Sequence, residues 1–349
     1  VSSKLRFGLI GCGDIAPAHA KAMAAAERVE LAACADIVES SASSLGEQFG
    51  VPYTTSVEEL LARPDVEAVT VATPAFTHAG LVEQAARAGK AVLCEKPLAA
   101  HLRDADRMIA ACQEAGVAFS TCFPLRYLPA AVWTRELVRS SGIGEVIELR
   151  VRSLSEKKPS YWTGGFSGRT KTEWRKSKAS SGGGVIITNV IHNIDLARAL
   201  SGLEVSRAYA ETGTFCTPVE VEDLGLACLR YENGAIGLVD ASSSFFGGEA
   251  GWDMALLGTK GQVRFGFWSG VVEAYVTEAT QDLPAREWVR RELAAGHPSS
   301  LTSFYDDFAA AVRGGKEPPV TGLDGRKALE VVVAIYRAAE TGKPVKLPL

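Results

Sequence analysis

None of the seven cysteines in this sequence stands in a C-x-x-C pair, and their number is odd. That spacing excludes the common structural zinc arrangements, and an odd count does not suit a complete disulfide framework. No metal is expected, and the compartment implied is a reducing one. Cys94 ends the apolar run Ala91–Cys94, where a free thiol behaves as a small buried hydrophobe. Also missing is any apolar run near the ~18 residues that span a bilayer, and no signal-like stretch precedes Leu5. The expectation is a cytoplasmic protein with no membrane partner. Positive charge is not in excess either: the formal net charge is −4, which gives no footing for a nucleic-acid partner. One basic stretch, Arg169 to Lys178, is interrupted by Glu173 and Trp174 and reads as a solvated loop or a substrate-facing one. Internal repeats and low-complexity segments are absent.

What is present suits two domains, since 349 residues exceed the usual size of one. Through residue 123, short apolar runs alternate with helical patterns. Strands are expected at Leu5–Ile10, Glu30–Ala35, Ala68–Ala72, Ala91–Cys94 and Val117–Cys122. Helices are expected at about 15–26, 40–49, 77–88 and 102–115. Such alternation implies right-handed βαβ units and a doubly wound parallel sheet, the Rossmann class of α/β fold. From residue 124 to 349 the pattern changes to an α+β domain on a large, mainly antiparallel sheet. Ile147, Leu149 and Val151 alternate with charged residues, and further strand candidates follow from Ser206 to Thr277. Asn233-Gly234 marks a tight hairpin. A helix is expected at about 190–201, and two close the chain at about 299–313 and 325–341, free to pack back on the first domain.

Gly11-Cys12-Gly13-Asp14-Ile15-Ala16 directly follows the first strand and opens the first helix. Glycines there permit a tight turn and let backbone approach a pyrophosphate, while the helix N-terminus offers free N–H groups and the positive end of its dipole. Asp36 ends the second strand, roughly 20 residues on, where an acid hydrogen-bonds the adenosine ribose. A carboxylate there favours NAD by repelling a 2′-phosphate, and Ile37 beside it offers no compensating charge. Ser40 and Ser41 keep NADP open.

Two further strings sit at expected strand ends: Thr73-Pro74-Ala75-Phe76-Thr77-His78 and Cys94-Glu95-Lys96-Pro97-Leu98. With the glycine motif, Gly182-Gly183-Gly184, His192-Asn193-Ile194-Asp195 and the closing runs Ala328–Tyr336 and Thr341–Val345, the chain resembles the Gfo/Idh/MocA family of NAD(P)-dependent sugar and polyol oxidoreductases. The resemblance implies that Lys96 touches both nicotinamide and substrate, that Glu95 contacts the nicotinamide ribose, and that the Lys96–Pro97 bond is cis. It implies that Thr73, Pro74 and His78 line the cofactor path, although His78 equally suits a helix cap or an exposed position. Arg126 would lie near nicotinamide or substrate, or else serve interdomain pairing. His192 matches the family's catalytic histidine, and an imidazole that titrates near neutrality suits proton abstraction as hydride leaves.

On the expected helix Asn189, His192 and Asp195 share a face, so Asp195 either orients His192 or forms a surface ion pair. The sequence departs from the family at Thr188, where many members carry aspartate: either His192 and Lys96 suffice, with Asn189 positioning a substrate hydroxyl, or the protein does something less usual. Trp174 and Arg175 are the expected sugar-contacting pair, with Trp162 a packing residue. The expected activity is dehydrogenation of a sugar, inositol or polyol by a homodimer or homotetramer. The alternatives are a non-catalytic NAD(P)-sensing regulator and an NAD-retaining lyase or glycosidase that works by transient oxidation.

Overall fold

The first strand, β1 (Leu5–Ile10), is buried along almost its whole length, as strands covered on both faces are. In the computed structural model, which describes residues 3–168, 171–247, 251–294 and 297–349, it is followed by α1 (Ala16–Ala25), β2 (Val29–Ala35), α2 (Glu39–Phe49), β3 (Tyr53–Thr54) and α3 (Val57–Ala62). Then come β4 (Ala68–Val71), α4 (His78–Arg87), β5 (Ala91–Cys94), α5 (Leu102–Glu114) and β6 (Phe119–Thr121). All six strands are parallel, in the order β3-β2-β1-β4-β5-β6. The order reverses between β1 and β4, and in such sheets ligands bind outside the carboxyl ends of the strands at that reversal. β3 and α3 are too short to show a readable period. α3 nonetheless has a clear start, because the Ser56 hydroxyl accepts the Glu59 N–H at 3.1 Å.

The rest of the chain runs through α6 (Pro129–Arg139), β7 (Val146–Leu154), α7 (Tyr161–Gly164), α8 (Lys178–Ser181), α9 (Ile191–Ser201), β8 (Val205–Gly213), β9 (Leu224–Tyr231) and β10 (Ile236–Ser242). It continues with β11 (Met254–Gly258), β12 (Gly261–Phe265), β13 (Val271–Val276), β14 (Trp288–Glu292), α10 (His297–Arg313), α11 (Gly322–Thr341) and β15 (Val345–Lys346). These strands form a nine-stranded sheet, β14-β13-β12-β11-β7-β10-β9-β8-β15, antiparallel except where β7 meets β10. Side chains along β9 and β10 alternate buried and exposed, so one face of the sheet carries the core while Leu226, Ile236 and Leu238 lie on the other. Asn233 and Gly234 make the β9–β10 hairpin as expected: Gly234 takes φ +91°, and the side-chain Oδ1 of Asn233 accepts the Ala235 N–H.

Two compact units divide the chain. The first comprises Val1–Cys122, Lys158–Gly182 and Leu301–Arg326; the second comprises Phe123–Lys157, Gly183–Ser300 and Lys327–Leu349. In the first, Tyr305 packs edge-on against Phe7 of β1 at 5.2 Å between ring centres, and Phe308 packs on it at 5.8 Å. Gly322 and Gly325 let the start of α11 lie directly on Phe119 and Thr121, where any Cβ would overlap those side chains. The Lys158–Gly182 segment carries α7 and α8. Arg169, which opens the basic stretch, lies outside the described residues.

Candidate active site

In the first unit the glycine turn is built from backbone constraints. Gly11 takes φ +95°, and a Cβ there would stand 2.7 Å from the Ala72 carbonyl oxygen, so no larger residue fits. Asp36, at the end of β2, accepts the Cys12 N–H at 2.7 Å and the Val38 N–H at 2.8 Å. Its carboxylate thereby ties the glycine turn to the start of α2. Cys12 is fully buried beneath that turn. α1 begins after Gly13, Asp14 and Ile15 with no side-chain cap and with proline in its first turn. The first N–H groups are thus left for an anion. Asp14 would repel such an anion, but it faces elsewhere. It accepts the Phe166 and Ser167 N–H groups, each at 2.8 Å, and the Ser167 hydroxyl. Gly165, at φ +69°, lets that loop approach so closely that a Cβ would meet Asp14. These features fit a dinucleotide.

The turns after β4 and β5 are held to each other by His78. It is buried rather than exposed, its Nε2 lying 2.8 Å from the Thr73 carbonyl oxygen and its Nδ1 3.1 Å from that of Leu98. Burial pulls its pKa down, while the carbonyls of Thr73 and Leu98 on its two ring nitrogens oppose that shift. Within the first loop the Thr77 hydroxyl donates to the Pro74 carbonyl and lies 2.7 Å from the Thr73 hydroxyl. The Lys96–Pro97 bond in the second is cis, as the resemblance implied.

Glu95 and Lys96 follow β5 at the same sheet edge. Burial pulls the Lys96 ammonium below the usual lysine range; the Glu95 carboxylate opposes this and the Arg175 guanidinium adds to it. Arg175 stacks over Trp174 at 4.6 Å and over Tyr161 at 5.3 Å, while Trp162 is buried. Sequence reasoning missed three residues here. His19 of α1 bonds Glu95 at 2.9 Å and Tyr305 at 2.7 Å, and the Cys122 thiol also bonds Glu95. His19, Glu95 and Cys122 bring ligand-type atoms within 4.8 Å of one another. Both imidazole nitrogens are nonetheless already in hydrogen bonds, which makes the group a hydrogen-bonded cluster.

The second unit holds His192, on a helix that starts earlier than expected. A π-turn at Ile186–Val190 precedes α9, because four acceptors satisfy the N–H groups at its start. Val185 N–H donates to the Glu222 carbonyl, Ile186 N–H to the Glu222 carboxylate at 3.0 Å, Ile187 N–H to the Tyr336 hydroxyl, and Thr188 N–H to the Gly184 carbonyl. Glu222 also accepts Gly184 N–H at 2.6 Å and Tyr336 O–H at 2.8 Å, although burial raises its pKa. The glycines before His192 exist for this contact: a Cβ on Gly183 would overlap Tyr336, and one on Gly184 would overlap the Glu222 carbonyl.

Thr188 lies within 2.6 Å of the Gly184 carbonyl oxygen and 3.1 Å of Asn189 Oδ1, so its hydroxyl is spent inside the helix. The Phe123 ring meets the His192 imidazole edge-on at 5.8 Å. Asp195 does not form a surface ion pair. It is buried and receives both arms of Arg126, at 2.5 and 2.8 Å, with Arg198 3.8 Å away. Arg126 thus pairs inside the second unit.

Residues 5–123 match the model described as "Oxidoreductase family, NAD-binding Rossmann fold", and residues 135–347 match "Oxidoreductase family, C-terminal alpha/beta domain", both of the Gfo/Idh/MocA group. Similar proteins include a 1,5-anhydro-D-fructose reductase from Ensifer adhaerens, 31% identical over 98% of each chain. A myo-inositol 2-dehydrogenase from Thermotoga maritima is 28% identical, also over 98% of each. The structure of the WlbA dehydrogenase from Bordetella pertussis, in complex with NADH and UDP-GlcNAcA, superposes with a TM-score of 0.82 at 28% identity, covering 99% of both chains. Among the described residues no helix is long and apolar enough to cross a membrane.

Gly184→Ala tests the account of the helix start. With rigid backbone opposite, the added methyl should cost about 1–3 kcal/mol or more in denaturant unfolding. Equal stability of variant and parent would refute the contact.

Proposed function

The chain belongs to the Gfo/Idh/MocA oxidoreductase family, and from that premise we propose that it transfers a hydride between NAD and a secondary alcohol or ketone of a sugar, inositol or related polyol. The observation that carries this reading is Lys96. An amine with lowered proton affinity stands at the end of β5, on the sheet edge that also bears the glycine turn and Asp36. When bound, NAD supplies the hydride acceptor. The rest is done by the chain's own groups.

In the oxidative direction His192 takes the hydroxyl proton through Nε2, since its Nδ1 is buried. The Lys96 ammonium stabilises the alkoxide that develops, and in reduction the same groups return the proton. Asn189 positions a neighbouring hydroxyl, and the stacked Trp174–Arg175 pair offers a flat apolar face with donors at its rim, which suits a sugar ring. Asp36 favours NAD, because a carboxylate there would repel a ribose 2′-phosphate, and Ile37 beside it, 87% exposed and apolar, offers no compensating charge. The named activities of the similar proteins, on an inositol and an anhydro-sugar, support a cyclic polyol substrate. Thr188 favours a second reading, a non-catalytic NAD-binding regulator, because its hydroxyl is held by the helix where many family members carry a carboxylate.

A panel of polyols, aldoses and inositols with NAD+ and NADP+, followed by reduced-cofactor absorbance, separates the two. Turnover of any member supports the enzyme; tight NADH binding with no turnover supports the regulator. With a substrate in hand, Lys96→Met and His192→Ala should each lower kcat by roughly 10²–10⁴-fold. Because the charged amine is the active form and its pKa is lowered, activity should fall as pH rises through a value below the ~10.4 of free lysine. Asp36→Ser should raise KM for NAD+ about tenfold and narrow its advantage over NADP+. An unchanged cofactor ratio would remove Asp36 from that role.

A further inference from the structure

Side chains from four separated stretches of the first unit form one line of hydrogen bonds. Thr70 Oγ1 lies 2.8 Å from Tyr305 Oη, Tyr305 Oη lies 2.7 Å from His19 Nδ1, and His19 Nε2 lies 2.9 Å from Glu95 Oε1. The other carboxylate oxygen, Glu95 Oε2, accepts the backbone N–H of Lys96 at 2.9 Å. Thr70, Tyr305 and His19 are completely buried.

Chemistry sets the direction of donation. A carboxylate only accepts, so Nε2 of His19 carries the proton. In a neutral imidazole Nδ1 is then an acceptor and takes the Tyr305 O–H, and the phenolic oxygen accepts from Thr70. With that tautomer, every bond along the line has a donor and an acceptor. The Cys122 thiol adds a further bond to Glu95. Glu95 is therefore approached by an imidazole, a thiol and a backbone N–H, and this fixes its rotamer.

We propose that His19 and Tyr305 are positioning residues for hydride transfer: their line of hydrogen bonds holds Glu95 in the one rotamer that keeps its carboxylate as the counter-charge of Lys96. This rests on Lys96 having the role proposed above. Glu95, the Cys122 thiol and Arg175 are titratable or charged groups that face Lys96. Only the carboxylate among them is held by a relay. If it swings away, the main opposition to burial and Arg175 is lost, and Lys96 loses its proton at lower pH.

The test uses the full chain with Tyr305→Phe, His19→Ala and His19→Gln. Tyr305→Phe removes one oxygen and keeps the ring against Phe7; it carries the test if His19→Ala does not fold. In Tyr305→Phe and His19→Ala the alkaline limb of kcat should move down by about half a pH unit or more. kcat at neutral pH should fall roughly tenfold while KM for NAD+ stays within about twofold. His19→Gln, whose amide N–H can donate to Glu95, should restore the limb. A second readout needs no turnover: the pH dependence of Lys96 acylation in the cofactor-free protein, followed by peptide mass spectrometry, should shift the same way.

If the parent protein turns over no polyol, the dehydrogenase reading falls and the acylation curves still decide this one. Coincident curves for parent and Tyr305→Phe overturn it, and a downward shift sustains it. If the parent is active and the variants lose thermal stability while keeping both the limb and the acylation curve, the relay is structural and the proposal is wrong.

Discussion

A carboxylate bonded to backbone N–H groups is the interaction on which the functional turns of this protein depend. Asp36 holds Cys12 and Val38, Asp14 holds Phe166 and Ser167, Glu95 holds Lys96, and Glu222 holds Gly184 and Ile186. Asp223 does the same for Phe215, Cys216 and Thr217. Charge-assisted bonds of this kind are shorter and roughly twice as strong as neutral ones. They also solve a geometric problem, since loops and helix starts expose donors that strands and helix interiors consume internally. Two of these acids show the balance involved. The three donors on Asp223 outweigh its desolvation and hold its pKa low, whereas on Glu222 desolvation prevails and the pKa is raised.

The same rule explains why acidic residues can sit beside a site meant for an anion. Asp14 belongs to the glycine motif, and an unsatisfied carboxylate there would oppose a pyrophosphate. Its charge is instead spent on the loop at 166–167, so the start of α1 keeps its positive character. In the second unit Arg126 and Asp195 settle each other in the same way, a forked ion pair 12% and 1% exposed. That pair braces α9 from the side, while Glu222 and Tyr336 satisfy the N–H groups of the turn that precedes it.

Much of this could be read from the sequence where the signal is local. Strand, glycine turn and helix follow each other within about one βαβ unit, and period, turn residues and a terminal acid all fall in one window. The alternation in β9 and β10 and the Asn233-Gly234 turn are equally local. What escaped was set by distant partners. His19 and Tyr305 are 286 residues apart, and nothing on either side of a lone histidine in an alanine-rich helix announces a phenol as its neighbour. The early start of the helix before His192 was hidden because glycines and β-branched residues at 182–188 have low helix propensity; Glu222 and Tyr336 override it from elsewhere. Helical spacing left Asp195 either to orient His192 or to form a surface ion pair, and gave no sign that it would be buried against Arg126, from another element. Spacing gives direction, and competition decides the partner.

The discontinuity of the first unit bears on how the chain comes into being. Its six parallel strands are complete by Thr121, yet the aromatic residues that pack on Phe7 arrive with Tyr305 and Phe308. Synthesis proceeds from the amino end, and domains generally mature as they emerge. Here the dinucleotide-binding sheet must wait, with part of its apolar face unsealed, while most of the second unit is still being made. A ribosome therefore delivers the cofactor-binding half of this molecule long before it delivers the residues that finish it.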